Sequence, residues 1–197
     1  MAIIVDKEQK KRDIALACKS LILEKGINNI TVSEVAKSAG IGKGTVYEYF
    51  KDKNEIVFEL VNILMLEHSK KLKVQLDTKE STKEKIRSFS SFFYNEEDKN
   101  LRQLYKEFVA LALIAPNDDM IAFHKQCINN YYTWFIEILH DGVENNELRP
   151  EALQLAKALF VIGDGMFLHN SVIGMQENLQ NDLNTFIDTI FNLMETK

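Results

Sequence analysis

Lys43, Thr45, Tyr47 and Tyr49 occupy alternate positions in one short segment, and Lys53 follows four residues later. A cation, a hydroxyl and two phenols on one outward strip can donate to phosphate oxygens and both donate to and accept from base edges. Glu48 is the lone acid among them. Lys53 stands where a following helix should begin, a place where free backbone N–H groups and the helix dipole already favour a phosphate. Upstream, Thr31 and Glu34 have the spacing of a capping box, so Thr31 should cap a helix whether or not a phosphate is near it. Taken singly, Tyr47 suits a packing tyrosine and Lys53 a solvated lysine. The joint register, not any one residue, points to nucleic acid.

These residues need a scaffold, and the surrounding pattern supplies one. Ile14, Ala17, Cys18, Leu21 and Ile22 recur at the spacing of one helix face over about Lys10 to Lys25, and Gly26 stops that helix. Val35 and Ala36 give the helix after Thr31 its buried side. Gly40 can take the left-handed turn that ends it, and Ile41 can anchor that turn. A third helix from Lys43 to Phe50 turns Val46 and Phe50 inward. Asp52 and Glu55 repeat the capping spacing before a long fourth helix reaching roughly Leu76. Three short helices with a glycine turn between the second and third outline a helix-turn-helix. Residues 1–53 hold ten Lys and Arg against seven Asp and Glu, a net of +3 within an overall −5, so the remainder carries −8. The basic end is the candidate DNA-facing end.

The stretch TVSEVAKSAGIGKGTVYEYFKDKNEI resembles the DNA-binding signature of the tetracycline-repressor (TetR) family, and KRDIALACKSLILEKG before it is similar to that family's first helix. The likeness covers about residues 10 to 57. It implies that Thr31 touches phosphate, that Lys43, Gly44, Thr45, Tyr47 and Tyr49 form the operator-facing surface of the third helix, and that Lys53 clamps a further phosphate. Gly42 stands where many members carry a serine cap, and Ile22 where the family usually has phenylalanine; glycine is a tolerable cap.

Beyond the fourth helix, polar breaks at Asp77–Lys83, Tyr94–Asn100, Ala115–Asp119, Asn145–Pro150 and Gly174–Gln180 mark five further helices. With two prolines, eight glycines and no useful strand-like alternation, the expectation is an all-α chain of about nine helices. A helix-turn-helix domain spans 1–53 and a larger helical ligand-binding and dimerisation domain spans 54–197. The segments Pro150–Ser171 and Leu183–Met194 carry more apolar surface than one core-facing stripe needs, so Leu183, Phe186, Ile187 and Ile190 are candidates for a homodimer interface. Burial of that surplus within one subunit is the competing reading.

Aromatic residues crowd the middle of the larger domain, and rings at helical spacing suit a plain core as readily as a pocket. With a few polar groups among them they could enclose an apolar effector. The candidates are Phe89, Phe93, Tyr105, Phe108, Phe123, His124, Cys127, Tyr131, Trp134, Phe160, Asp164 and Phe167, with His169 a further polar neighbour. Gly163 and Gly165 flank Asp164 in an otherwise apolar helix. Cys18 and Cys127 read as small buried hydrophobes. Neither a metal site nor a cofactor is expected, because the histidines and cysteines lack the close spacings of zinc motifs. No apolar run suggests a membrane span and the N-terminus lacks the order of a signal peptide, so a cytoplasmic protein is expected.

The reading that unites these features is a repressor that binds a palindromic double-stranded operator as a homodimer and is released by a small hydrophobic effector. An activator, or a metal or redox sensor, on the same scaffold is the alternative within regulation. An all-helical enzyme is the alternative outside it, and no nucleophile–base pair or phosphate loop supports one. A purely structural helical adaptor would not need cations and hydroxyls on an outer helix face.

Overall fold

A computed structural model describes residues 6–196. Ten α-helices are found among them: α1 (Lys7–Ala17), α2 (Lys19–Lys25), α3 (Val32–Ser38), α4 (Lys43–Tyr49), α5 (Lys53–Asp77), α6 (Thr82–Ser90), α7 (Lys99–Ile114), α8 (Asp118–Glu144), α9 (Ala152–Ile173) and α10 (Leu179–Met194). Short 3-10 turns sit at Ile27–Asn29, Ser91–Phe93 and Gln176–Asn178. No strand is present among the described residues, where Leu148 and Glu195 form an isolated bridge. The one helix beyond the expected nine arises at Cys18. Its N–H bonds Ala15 O at 3.2 Å, a three-residue step that divides the first periodic segment without any glycine or proline.

The chain separates into two compact units, and their borders differ from the expected 53/54 division. The first takes residues up to His68 together with Gln103–Pro116; the second takes Ser69–Arg102 and residues from Asn117 onward. The reason lies in burial. In α5, Ile56, Val57, Leu60, Ile63 and Leu64 are buried, so the helix cannot be severed at its start. Leu104 and Phe108 of α7 are buried as well, and the Phe108 ring meets Phe58 edge-on at 6.1 Å. Full burial of two such side chains is worth about 1.5–3 kcal/mol each.

In the first unit, Ile14 and Ala15 of α1, Cys18 at the break and Ile22 of α2 join Ile27, Ile30, Val35, Ala36, Val46 and Phe50 in the buried set. In the second, Ile86, Phe135, Ile138, Leu139, Leu148, Ala152, Ala156, Ile187, Phe191 and Met194 form one cluster. Helix α6 begins with a capping box in which Ser81 accepts from the Glu84 N–H, while Glu147 accepts from the Thr82 N–H at 2.7 Å. Lys83 and Arg87 of α6 both pair with Asp188 of α10. The chain end is clasped at Arg149, whose N–H bonds Met194 O at 2.8 Å. Arg102 donates to Phe92 O at 2.7 Å and so fastens the first turn of α7 to the 3-10 turn after α6.

Helix α9 has the length and, at a mean hydropathy of 1.2, the composition to cross a membrane. Within its unit it packs on α8 and α10 and buries Ala152, Ala156, Gly163, Phe167 and Asn170, while Leu155, Val161, Val172 and Ile173 are exposed.

Candidate nucleic-acid interface

The turn that aims the third short helix is built from backbone geometry. Helix α3 starts at Thr31, which accepts from the Glu34 N–H at 3.3 Å while the Glu34 carboxylate accepts from the Thr31 N–H at 2.9 Å. This is the reciprocal capping box expected from the spacing. At the other end Gly40 has φ +65°, its N–H bonds Lys37 O at 3.3 Å, and the Ile41 N–H bonds Ala36 O at 3.0 Å. Those two bonds make a Schellman closure, in which a left-handed residue satisfies the last carbonyls of one helix and redirects the chain into the next. Gly42, extended at φ −72° and ψ 149°, then opens α4 without a side-chain cap.

Helix α4 is held by one side and free on the other. Val46 and, just beyond the helix, Phe50 are buried, whereas Lys43, Gly44, Tyr47 and Glu48 are exposed and Thr45 and Tyr49 half-buried. Tyr47 is 53% exposed, too far for a packing tyrosine with only its hydroxyl at the surface. A Cβ on Gly44 would meet nothing within 4 Å, so that position lets another backbone approach closely. Of the residues expected to face outward here, Lys43 and Tyr47 are exposed, and Thr45 and Tyr49 are partly covered.

The two flanking residues have partners. The Thr31 hydroxyl donates to Glu34 at 2.8 Å, and Glu34 also pairs with Lys25. The Lys25 ammonium first, and Thr31 second, hold the Glu34 carboxyl down at about 2. A phosphate would therefore gain the Thr31 hydrogen only by displacing Glu34. Lys53 donates to Asn28 O at 2.6 Å, and Asp52 accepts from the N–H groups of Asn54 and Glu55 at 2.8 and 3.1 Å. The start of α5 is thus already capped by a carboxylate, which leaves the Lys53 ammonium as the group able to meet a phosphate there.

In the second unit several aromatic candidates are ring neighbours. Phe89 meets Tyr131 at 6.1 Å and Phe160 at 6.5 Å, Tyr131 meets Trp134 at 6.2 Å, and Phe93 meets Phe167 at 5.6 Å. The Tyr131 hydroxyl shares a hydrogen bond with Ser69 at 3.1 Å, and burial raises its pKa to about 12. His124 lies near Asp164; burial lowers the imidazole pKa, and the carboxylate opposes that shift. Burial also pushes the Cys127 thiol up to about 11. Tyr105 and Phe108 belong to the part of α7 in the first unit. Phe123 is half-buried on α8.

An apolar recess of about 50 Å³ lies among α6, α8, α9 and α10. Phe89, Phe93 and Phe160 line it, and so do all four dimer candidates, Leu183, Phe186, Ile187 and Ile190, together with Phe135 and Gly163. The four dimer candidates divide: Leu183 and Ile187 are 2% and 5% exposed and fill the core of their own unit, while Phe186 and Ile190 are half-buried beside Leu193, which is 60% exposed. The apolar side of α10 is wide enough to serve two faces, and its 183–187–191 row faces inward. Glu107, on α7, is a residue the sequence did not single out; its carboxylate accepts from the Ile27 N–H at 2.7 Å across eighty positions of chain, and no local spacing announces such a bond.

Comparison with known proteins follows the same division. Residues 14–60 match the family described as bacterial regulatory proteins, tetR family. The chain is similar to the fatty acid metabolism regulator protein of Bacillus subtilis (strain 168), 27% identical over 145 residues and covering 73% of each chain. Among solved structures it is similar in fold to a TetR-family transcriptional regulator from Cytophaga hutchinsonii, with a TM-score of 0.78 and 16% identity over 98% of both chains. It is similar also to the regulator FadR from Bacillus subtilis in complex with stearoyl-CoA, with a TM-score of 0.66 and 22% identity over 92% of this chain and 95% of that one.

Proposed function

We propose that the chain, whose residues 14–60 match the TetR-family regulators, is a ligand-controlled repressor that binds a palindromic operator as a homodimer and releases it when an apolar effector occupies the second unit. The observation that carries the DNA part is the exposed Lys43, Gly44 and Tyr47 on α4, with the half-buried Thr45 between them, set out by the Schellman turn at Gly40. Lys43 and Thr45 read base edges at the N-terminal end of the helix in the major groove; Lys53 holds phosphate. One short reader contacts few base pairs, and two-fold pairing doubles the site. Phe186, Ile190 and Leu193 on α10, with the 53%-exposed Val161 on α9, are the side chains available for that pairing.

The recess supports an apolar effector, since its lining offers rings and branched aliphatics with Ser90 as its one hydroxyl. The similar proteins, a fatty acid metabolism regulator and a regulator in complex with stearoyl-CoA, make a long acyl chain the first effector to test. An effector acts only through a difference in its affinity for the DNA-bound and free forms. Selection of bound fragments from random duplex DNA tests the reading at its base. A palindrome with two half-sites is the expected product, and recovery of no preferred duplex would remove it.

A further inference from the structure

The connector between α2 and α3 is held from the side by α7. Gly26 ends α2 at φ 82° and ψ 159°, and Ile27 and Ile30 bury their side chains on either side of the exposed Asn28 and Asn29. Two groups there have no partner within their own helices: the Leu23 carbonyl in the last turn of α2, and the Ile27 N–H that starts the 3-10 turn. Gln103 donates to Leu23 O at 2.8 Å, and Glu107 accepts from the Ile27 N–H at 2.7 Å. Gln103 also donates to the other oxygen of Glu107 at 3.2 Å, which orients both side chains. They lie one turn apart on α7, beside the buried Leu104 and Phe108 that fix the position of the helix in this unit. A Cβ at Gly26 would stand 3.0 Å from the Glu107 carboxylate, so the fit is close as well as bonded.

We propose that Gln103 and Glu107 are positioning residues for operator recognition: they latch the α2–α3 connector and so set the attitude at which α3 and α4 are presented to DNA. The inference rests on the DNA-binding reading above. The same connector is also bonded at Asn28 O by Lys53, whose ammonium has further donors to turn to a phosphate. The α7 latch, made of side chains that are only half exposed, holds the connector whether or not Lys53 meets DNA. Without it the chain samples connector geometries that cannot bind, and the apparent dissociation constant rises by the inverse of the competent fraction. No DNA contact is lost, so base preference and salt slope stay as they were.

The wild-type chain, Glu107→Ala, Glu107→Gln and Gln103→Ala would be compared in two ways: amide exchange at Ile27, and affinity for a selected operator over a range of salt. Ile138→Val in the second unit controls for ordinary loss of stability. Glu107→Ala should speed exchange at Ile27 and weaken operator binding about tenfold, equivalent to ~1.4 kcal/mol, with unchanged slope against log salt. Glu107→Gln still offers an oxygen to the Ile27 N–H and should stay within about threefold of wild type. If Glu107→Ala fails to fold, Gln103→Ala, which removes the bonds to Leu23 O and to the Glu107 carboxylate but leaves Glu107 to accept from the Ile27 N–H, carries the same expectation of weaker binding at constant slope. Faster exchange with unchanged affinity would overturn the proposal, as would a slope reduced by a whole phosphate contact or a matching loss in Ile138→Val. A wild-type chain that selects no duplex would overturn the DNA-binding reading itself, and the latch proposal with it.

Discussion

Two glycines two residues apart in α9 should respond in opposite directions to the same added methyl. Alanine is favoured over glycine inside a helix by about 1 kcal/mol, and at Gly165 a Cβ meets nothing within 4 Å of its own chain. Gly165→Ala should therefore gain up to about 1 kcal/mol. At Gly163 the Cβ would come within 2.8 Å of Phe93 Cε2, on a ring already packed against Phe167 at 5.6 Å and Phe92 at 5.3 Å. Overpacking of this kind costs about 1–3 kcal/mol, and a middle value less the propensity gain leaves a net loss of about 1 kcal/mol. The variants should stand about 2 kcal/mol apart, or roughly 4–8 °C in thermal midpoint for a chain of this size. Scanning calorimetry on both, with Phe93→Leu alone and combined with Gly163→Ala, completes a double-mutant cycle. The smaller side chain should recover most of the loss. A Gly163→Ala variant as stable as Gly165→Ala, or a cycle without coupling, would refute the assignment of Gly163 to close ring packing. A Gly165→Ala variant that is less stable only at high protein concentration would place a partner subunit against that glycine.

Other expectations test separate parts of the molecule. Lys53→Ala should weaken binding to all duplexes alike and lower the slope of log affinity against log salt by about one, whereas Lys43→Ala should change base preference in competition with single-base operator variants. Because the Glu34 carboxyl is depressed from 4.5 to about 2 in the fold, its stabilisation is present above pH 4.5 and lost as pH falls towards 2. Glu34→Gln should flatten the acid limb of the unfolding curve across that window, and an unchanged limb would deny the Lys25–Thr31–Glu34 arrangement. Replacing both Val161 and Leu193 by Glu should give a monomer by sedimentation with helix content intact; an unchanged dimer would move the interface off α9 and α10. Point changes are preferable there to removing α10, since Leu183, Ile187, Phe191 and Met194 belong to the core of the second unit.

What could be read from the sequence was what is encoded locally. The Thr31–Glu34 box, the Gly40 turn and the inward Val46 and Phe50 each depend on residues within five positions of one another, and the structure contains all of them. The break at Cys18 carried no such signal. It falls in a run of good helix formers, and the thiol reaches Val35 O at 3.8 Å, a tertiary partner that spacing cannot name. Apolar periodicity marked the face of α10 yet could not say what would bury it. Half of that face, at Leu183 and Ile187, went to the chain's own core. Glu107 is the extreme case: an acid midway along an amphipathic helix looks like any solvated residue until the fold brings the Ile27 N–H to it.

The discontinuity of the first unit bears on how such chains can be recombined. An N-terminal piece cut at residue 53 or even at 68 would leave behind the α7 segment from Gln103 to Pro116 that belongs to its core. The excised piece would uncover the surface that Leu104 and Phe108 fill, and would leave the Leu23 carbonyl and the Ile27 N–H without partners. A chimera that exchanges readers between two such regulators must therefore transplant two separate stretches of sequence, or choose a host whose corresponding helix already offers an acceptor and a donor one turn apart. Drift in the reader and drift in the middle of the chain are in this sense yoked, and a domain that looks detachable in the primary sequence is inherited in two pieces.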